Sequence, residues 1–186
     1  MVSNAPTPPP EPDPAIAVTV TGRVTVTVER VDPEDSYPLR NRVLRPGRPR
    51  SAVHLAIDHD PATATFAART ADGEVVGTAI VYPEPCPWLA ERAAAWRLRG
   101  MATAEGLRGS GIGALVLRAT LDHVVAAGGE LVWCNARTPA RAFYERAGFR
   151  PHGDAWDEAD IGPHIAMWID LRRAGTVAPG EEPSRH

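Results

Sequence analysis

A glycine-rich turn that joins a strand-like run to a helical run constrains this chain more than any other feature. Trp96–Thr103 has the alternating character of a strand, and Ile112–Ala127 is an apolar run that predicts a helix. Between them, Arg108–Gly113 carries three glycines at alternate positions, which leave backbone N–H groups without neighbouring Cβ atoms. The first helical turn adds unpaired donors and the positive end of its dipole. Such a place binds phosphate, unless the turn is a glycine-rich connection without a ligand.

Composition limits what such a chain can be. Its 186 residues, 44% hydrophobic and 23% charged, suffice for one domain with a core. The net charge is −3 and the 20 basic residues, all arginine, are scattered, which argues against nucleic acid as a partner. Cys86 and Cys134 lie in no CxxC motif and at no metal-ligand spacing, so we expect reduced thiols and no metal. Without a signal-like N-terminus, we expect a cytoplasmic protein that does not use a membrane.

The two ends of the chain differ from its middle. Residues 1–14 contain a proline run among polar residues and predict a disordered or polyproline-like tail. Residues 173–186 are a polar C-terminal tail without apolar periodicity. One folded domain is therefore expected over residues 15–172.

Within that domain the pattern predicts the element order ββαβββαβαββ. Residues 15–31 alternate strictly and are either two short strands around Thr21–Arg23 or one bulged strand. Asp32 is a predicted N-cap for a helix of about ten residues in which Pro38 causes a bend or restart. Further predicted strands are 63–69, 74–82, 96–103, 130–135, 150–156 and 164–171, with 48–61 as a loop.

The last predicted helix, Ala140–Ala147, is framed by clear signals. Thr138 is the predicted N-cap, Pro139 fits the first helical position, and Gly148 follows the last turn. Phe149 can then close the C-cap with an apolar contact.

On these motifs the chain resembles the GNAT superfamily of acyl-CoA-dependent N-acetyltransferases over residues 24–171. The resemblance is carried by the Arg-x-x-Gly-x-Gly signature at Arg108–Gly113, by the strand before it and by Ala142–Phe149. It implies one α/β (α+β) domain with a mixed central sheet of about seven strands and helices on both faces. It also implies direct acetyl transfer to a primary amine of a small molecule or peptide, without a covalent enzyme intermediate.

The resemblance further implies acetyl-CoA as co-substrate and a set of residues that hold it. The turn would wrap the pyrophosphate, and the end of the preceding strand would pair with the pantetheine arm between two splayed parallel strands. Many members carry an asparagine where this chain has Arg137, which leaves Asn135 as the nearest candidate. The cofactor-binding candidates are thus Met101, Ala102, Thr103, Arg108, Gly109, Ser110, Gly111, Ile112, Gly113 and Asn135.

Two residues are candidates for catalysis. Tyr144 resembles the family tyrosine that protonates the departing thiolate, for which a tyrosine reference pKa of about 10 is suitable; packing is its alternative role. The strand before the turn lacks the catalytic glutamate of some members, so His164 is the candidate base, or else a histidine that closes a turn. His54, His59 and Glu84 are weaker candidates. Arg97 and Arg99 share a strand face that either meets an acidic acceptor or is solvated.

Two alternatives remain open. Gly109–Ala114 also fits a dinucleotide-binding pattern, although five residues separate it from the strand and Glu130 opens its strand rather than ending it. A non-catalytic acyl-CoA sensor is the alternative function. The expected partners are acetyl-CoA and an amine, with no nucleic acid and no membrane, and the chain can form a homodimer.

The domain boundaries yield a first prediction. Removal of residues 1–14 and 173–186 together should leave the melting temperature within a few degrees, because the core elements are complete without them. Thermal denaturation of the truncated and full chains measures this, and a collapse of folding would show that one tail docks on the domain.

Overall fold

The computed structural model describes residues 16–20, 24–159 and 161–172. The two predicted tails and the turn at 21–23 lie outside the described residues. Ile16–Val20 and Val24–Val31 form two antiparallel strands, which decides between the two interpretations of the alternation.

The observed element order is the predicted one. The strands are β1 (Ile16–Val20), β2 (Val24–Val31), β3 (Ala64–Thr70), β4 (Val75–Pro83), β5 (Ala95–Thr103), β6 (Leu131–Arg137), β7 (Arg150–Glu158) and β8 (Gly162–Asp170). The helices are α1 (Pro33–Leu44), α2 (Ile112–Ala126) and α3 (Arg141–Arg146), with a short 3-10 turn at Arg50–Val53. The eight strands form one sheet in the order β1-β2-β3-β4-β5-β6-β8-β7. None of the described helices is long and apolar enough to cross a bilayer.

Helices cover both faces of this sheet, as expected. On one face, α2 packs through Ile112 and Val116, both fully buried, so closely that a Cβ on Gly77 of β4 would lie 2.7 Å from the Ile112 side chain. On the other face, α1 packs against β4 and β5 through Leu39 and Arg40. Apolar residues alternate along β5 accordingly, with Trp96 and Leu98 in the core on the α2 face.

The sheet opens between β5 and β6. These two strands are parallel and pair over only three positions, Ala95–Arg97 with Leu131–Trp133, whereas the other neighbours are antiparallel. Further along β5 the register with β4 shifts, and Gly100 at that shift has a φ of +62°, which favours glycine. The mixed sheet with its antiparallel first half excludes the dinucleotide-binding alternative.

Two local predictions around the helices need correction. Thr138 is not the N-cap of α3: Thr138–Ala140 is a separate 3-10 turn, and α3 begins at Arg141 after Ala140. The Thr138 hydroxyl instead donates to the Pro163 carbonyl at 3.2 Å, so its bond holds the start of β8. In α1, Pro38 lies inside a continuous helix of 12 residues and does not restart it.

A buried ion pair fastens α1 to the segment that follows it. Arg40 and Asp58 have side chains 2% and 1% exposed, and Arg40 Nη1 lies 3.6 Å from Asp58 Oδ1. The other Asp58 oxygen accepts bonds from the Tyr37 hydroxyl at 3.0 Å and from the Leu55 N–H at 2.8 Å. Burial and the Asp58 carboxylate raise the pKa of Tyr37 to about 12. Loss of either charge would leave the other buried without compensation.

Asp58→Asn should therefore lower the free energy of unfolding by roughly 3–5 kcal/mol, since the Arg40 charge would remain buried alone. The matched control is Asp122→Asn, which breaks an exposed pair with Arg118 whose side chains are 80% and 61% exposed. It should cost at most about 1 kcal/mol. Urea denaturation of the three proteins measures both values, and equal losses would contradict the structural role of the buried pair.

Candidate active site

The opening between β5 and β6 is a cleft of about 300 Å³. Both strands contribute to its walls, together with α3, the end of α1 and the segment from Glu158 to His164. Tyr144 and His164, the two predicted catalytic residues, line this cleft together. The wider lining is Leu44, Arg45, Arg97, Leu98, Arg99, Gly100, Met101, Cys134, Asn135, Ala136, Arg137, Ala140, Phe143, Glu158 and Ile161.

The glycine-rich turn lies where β5 leads into α2. Gly109 and Gly111 both have left-handed backbones, with φ of +78° and +94°, and Gly111 is the N-cap of the helix. Ser110 between them donates its hydroxyl to the Leu107 carbonyl at 2.6 Å, which tightens the turn. Among the described residues no side chain caps this helix, so its first N–H groups and its dipole are offered to an anion.

The end of β5 packs directly against the start of α2. A Cβ on Gly113 would lie 3.1 Å from Thr103 Oγ1 and 3.6 Å from Met101 Cε, so a larger residue at this position would press on the Thr103 side chain. Ala102 is buried, and Arg108 is exposed with its guanidinium 3.7 Å from the Glu105 carboxylate. Beyond Arg97 the edge of β5 that faces β6 has no strand partner among the described residues, which leaves backbone groups free for a ligand.

Tyr144 is held rigidly in the wall of the cleft. It is 5% exposed and packs edge to face against Phe143 and Phe149, with ring centroids 5.1 and 5.2 Å apart. The Phe149 N–H donates to the Tyr144 carbonyl across Gly148, whose φ is +91°, so the predicted C-cap is confirmed. The Tyr144 hydroxyl hydrogen bonds with the Cys134 thiol, and burial raises the pKa of Tyr144 well above 10.

His164 is the third residue of β8, which begins two residues earlier than predicted, and is 8% exposed. Its Nδ1 lies 2.7 Å from the Gly162 carbonyl oxygen, and since a carbonyl only accepts, Nδ1 carries the proton. In the neutral imidazole Nε2 is then the unprotonated nitrogen, as a base requires. The tautomer is thus set by the turn that His164 closes, so the structural and chemical roles of this residue are compatible.

The remaining candidates are dispersed. Glu84 binds Arg97 at 2.8 Å, His54 stacks on Tyr37 at 4.4 Å, and His59 is exposed 3.4 Å from Glu34. None of these three acids or bases is in the cleft lining. Asn135 is in the lining, but strand alternation places it on the face opposite Cys134, away from Tyr144.

Sequence reasoning missed three charged residues of the cleft and the partner of Tyr144. The sequence assigns no role to Arg45 or Glu158, and it marks Arg137 only as the residue in place of the family asparagine. They come from three distant segments, so no local spacing unites them. Cys134 was considered for metal binding alone, although its position on the α3-facing side of β6 follows from alternation.

The chain matches one protein family over most of the described length. Residues 32–149 match the model of the acetyltransferase (GNAT) family. The uncharacterized N-acetyltransferase YitI of Bacillus subtilis is 35% identical over 145 residues, which cover 78% of this chain and 96% of YitI.

Solved structures share the architecture at lower identity. ElaA of Escherichia coli superposes with a TM-score of 0.63 at 19% identity, over 78% of this chain and 99% of that chain. The ribosomal-protein-S18-alanine N-acetyltransferase of Escherichia coli gives 0.61 at 17% identity, over 87% and 99%. At these identities the likeness concerns the fold alone.

Gly111→Val should reduce acetyl-CoA affinity at least about tenfold, ~1.4 kcal/mol, because a β-branched side chain would occupy the anion cradle. The residue is also strained by its positive φ, so a matched control is needed. Gly73→Val at the β3–β4 turn has a φ of +87° and open space around its Cβ position. Both variants should lose similar stability, and only Gly111→Val should lose affinity by calorimetry; unchanged affinity in a folded protein would contradict the cradle.

Proposed function

The chain belongs to the acetyltransferase (GNAT) family, and we propose that it moves an acetyl group from acetyl-CoA to a primary amine by direct attack. The observation that carries this proposal is a cleft lined by Tyr144, by His164 of fixed tautomer and by the unpaired edge of β5, with the uncapped N-terminus of α2 packed against the end of that same strand. Each of these four groups meets one requirement of amine acetylation.

The residues present are suited to acetyl-CoA. Gly109 and Gly111 supply the left-handed turn for the pyrophosphate, and Arg108 is exposed beside it with its charge free to reorient. Met101–Thr103 offer unpaired backbone groups to the pantetheine arm. When bound, acetyl-CoA supplies an acetyl group activated as a thioester.

His164 is the proposed base. An ammonium ion has no lone pair, so the acceptor must lose a proton before or during attack. Nε2 of His164 accepts that proton, directly or through water, while Nδ1–H stays bonded to Gly162. The Gly162 carbonyl also stabilises the imidazolium that results.

Two negative charges develop during transfer, one on the carbonyl oxygen and one on the departing sulfur. The free backbone edge of β5 stabilises the first, and Tyr144 neutralises the second. An N–H of Met101–Thr103 aimed at the carbonyl oxygen stabilises its growing negative charge, an effect of roughly 3–4 kcal/mol for a good donor in other enzymes. Tyr144 then donates its proton to the departing sulfur. Because burial keeps this hydroxyl protonated well above pH 10, the donor is present at every physiological pH.

The function is tested by mass spectrometry of a panel of amines and N-terminal peptides incubated with acetyl-CoA and the protein. A product heavier by one acetyl group, with release of free thiol, is the expected result. Binding of acetyl-CoA without turnover of any amine would favour the sensor alternative.

Tyr144→Phe should lower kcat by about 10²–10⁴-fold with little change in acetyl-CoA affinity, because only the donated proton is lost. Tyr37→Phe is the control, since it removes another buried hydroxyl, bonded to Asp58, outside the cleft. It should reduce stability and leave kcat unchanged. Thiol-release kinetics measure both, and the wild type should show no loss of kcat from Tyr144 deprotonation up to about pH 10.

The opposite results are equally clear. A Tyr144→Phe enzyme within about threefold of wild-type kcat, with thiolate departure rate-limiting, would make Tyr144 a packing residue. A loss confined to cofactor affinity would make its hydroxyl a binding group.

A further inference from the structure

Three arginines converge on the end of the cleft formed by α1 and β6. Arg45 Nη1 and Arg137 Nη2 each donate to the same acceptor, the Leu44 carbonyl, at 2.8 Å, so two positive groups are held side by side. Arg99, on β5, lines the same cleft. Burial and the charges of Arg137 and Arg99 lower the pKa of Arg45, so the three guanidinium groups are mutually repulsive neighbours.

None of these charges is paired directly with a carboxylate in the described part of the chain, and Glu158 attracts Arg45 only at longer range. Throughout residues 24–159 and 161–172, no carboxylate lies within 4 Å of the guanidinium groups of Arg45, Arg99 or Arg137. Arg97 differs, since Glu84 neutralises it at 2.8 Å. Each guanidinium has five N–H donors, and the Leu44 carbonyl occupies one of Arg45 and one of Arg137. Like charges packed together and partly desolvated are stabilised by an anion that enters between them.

The anion cannot be the cofactor pyrophosphate if that group binds at the glycine turn. The turn lies on the α2 face of the sheet, where Gly113 meets Met101 and Thr103. Arg99 and Arg137 alternate with Leu98 and Ala136, which point into the α2-face core, so the arginines point to the α1 face. The two anion-binding features therefore lie on opposite faces of the sheet, with the splay between them.

We infer that Arg45, Arg99 and Arg137 form a carboxylate-binding subsite, and that the acceptor is an amine that carries a carboxylate, such as an amino acid or an acidic peptide. This inference rests on the proposed function. Glu158, fixed by the Trp156 indole N–H at 3.1 Å, lines the same cleft and offers a negative charge to the ammonium end of the acceptor. His164, also in the lining, receives the proton that this end must lose.

A series of acceptors with the same number of carbon atoms isolates the contribution of the carboxylate to kcat/KM. In 4-aminobutyrate, butylamine and 1,4-diaminobutane the group remote from the reacting amine is negative, neutral and positive, respectively. We expect kcat/KM to fall in that order, by about tenfold or more between the first two, since charge-assisted hydrogen bonds are lost. Equal or better use of butylamine or diaminobutane would overturn the subsite and leave the proposed function standing.

Variants of the arginines test whether these residues cause the preference for a carboxylate. Arg45→Gln and Arg137→Gln should each reduce kcat/KM for 4-aminobutyrate about 10–100-fold through KM, and change that for butylamine by about twofold at most. Arg45→Lys should keep part of the preference. Arg118→Gln, at a position 80% exposed on α2, is the control and should change nothing. Melting temperatures exclude unfolding, and two separate variants guard against loss of the Leu44 contact in one of them.

Further outcomes separate the subsite from the cofactor site and from the proposed function. A tenfold loss of acetyl-CoA affinity in both glutamine variants would assign the arginines to the cofactor and overturn the proposal. If no amine of the series reacts while acetyl-CoA still binds, glutarate is titrated into the CoA-saturated protein by calorimetry. Saturable binding that both variants weaken supports the subsite, and no binding overturns it. Absence of acetyl-CoA binding, by contrast, is the failure of the proposed function.

Discussion

Everything at the candidate site depends on the early end of the pairing between β5 and β6. Two parallel strands that stop pairing after three positions leave backbone N–H and C=O groups with no partner inside a protein, which is a costly arrangement unless a ligand uses them. The divergence is built into the chain: Gly100, with its left-handed backbone, lies where the register between β4 and β5 shifts. A Cβ there would lie 3.2 Å from both the Arg40 and the Ile80 side chains.

The buried pair of Arg40 and Asp58 is linked to that same point. Arg40 lies under Gly100, and Asp58 fixes Arg40 from the segment after α1, with Tyr37 and Leu55 as its further partners. A buried ion pair is a weak source of stability but a strong constraint on geometry, because misplacing either member exposes an uncompensated charge to the core. The position of α1, and hence of Arg45 at its end, is thereby tied to the position of the bulged strand.

The sequence determined the architecture well because its signals were local. Strand alternation and the cap at Gly148 each depend on a few adjacent residues, and both agree with the structure, as does the Asp72-Gly73 pair in the turn of the β3–β4 hairpin. Thr138 was misjudged because its hydroxyl bonds Pro163, 25 residues away, rather than the helix. The arginine subsite could not be predicted for the same reason: Arg45, Arg99 and Arg137 meet only through tertiary packing.

Strand alternation places the groups proposed for proton donation to the thiolate and those proposed for acceptor recognition on opposite faces of β6. On β6, Cys134 and Ala136 point to the α2 face and Asn135 and Arg137 to the other, so one strand presents Tyr144's partner on one side and the arginines on the other. A register shift of a single residue would exchange these faces. The antiparallel pairing of β6 with β8 over seven positions prevents such a shift, and the same pairing sets Arg137 opposite His164. The pairing of β6 with β8 therefore holds the proposed cofactor side of the cleft and the proposed arginine subsite in a fixed relation, while the edge of β6 that faces β5 stays open.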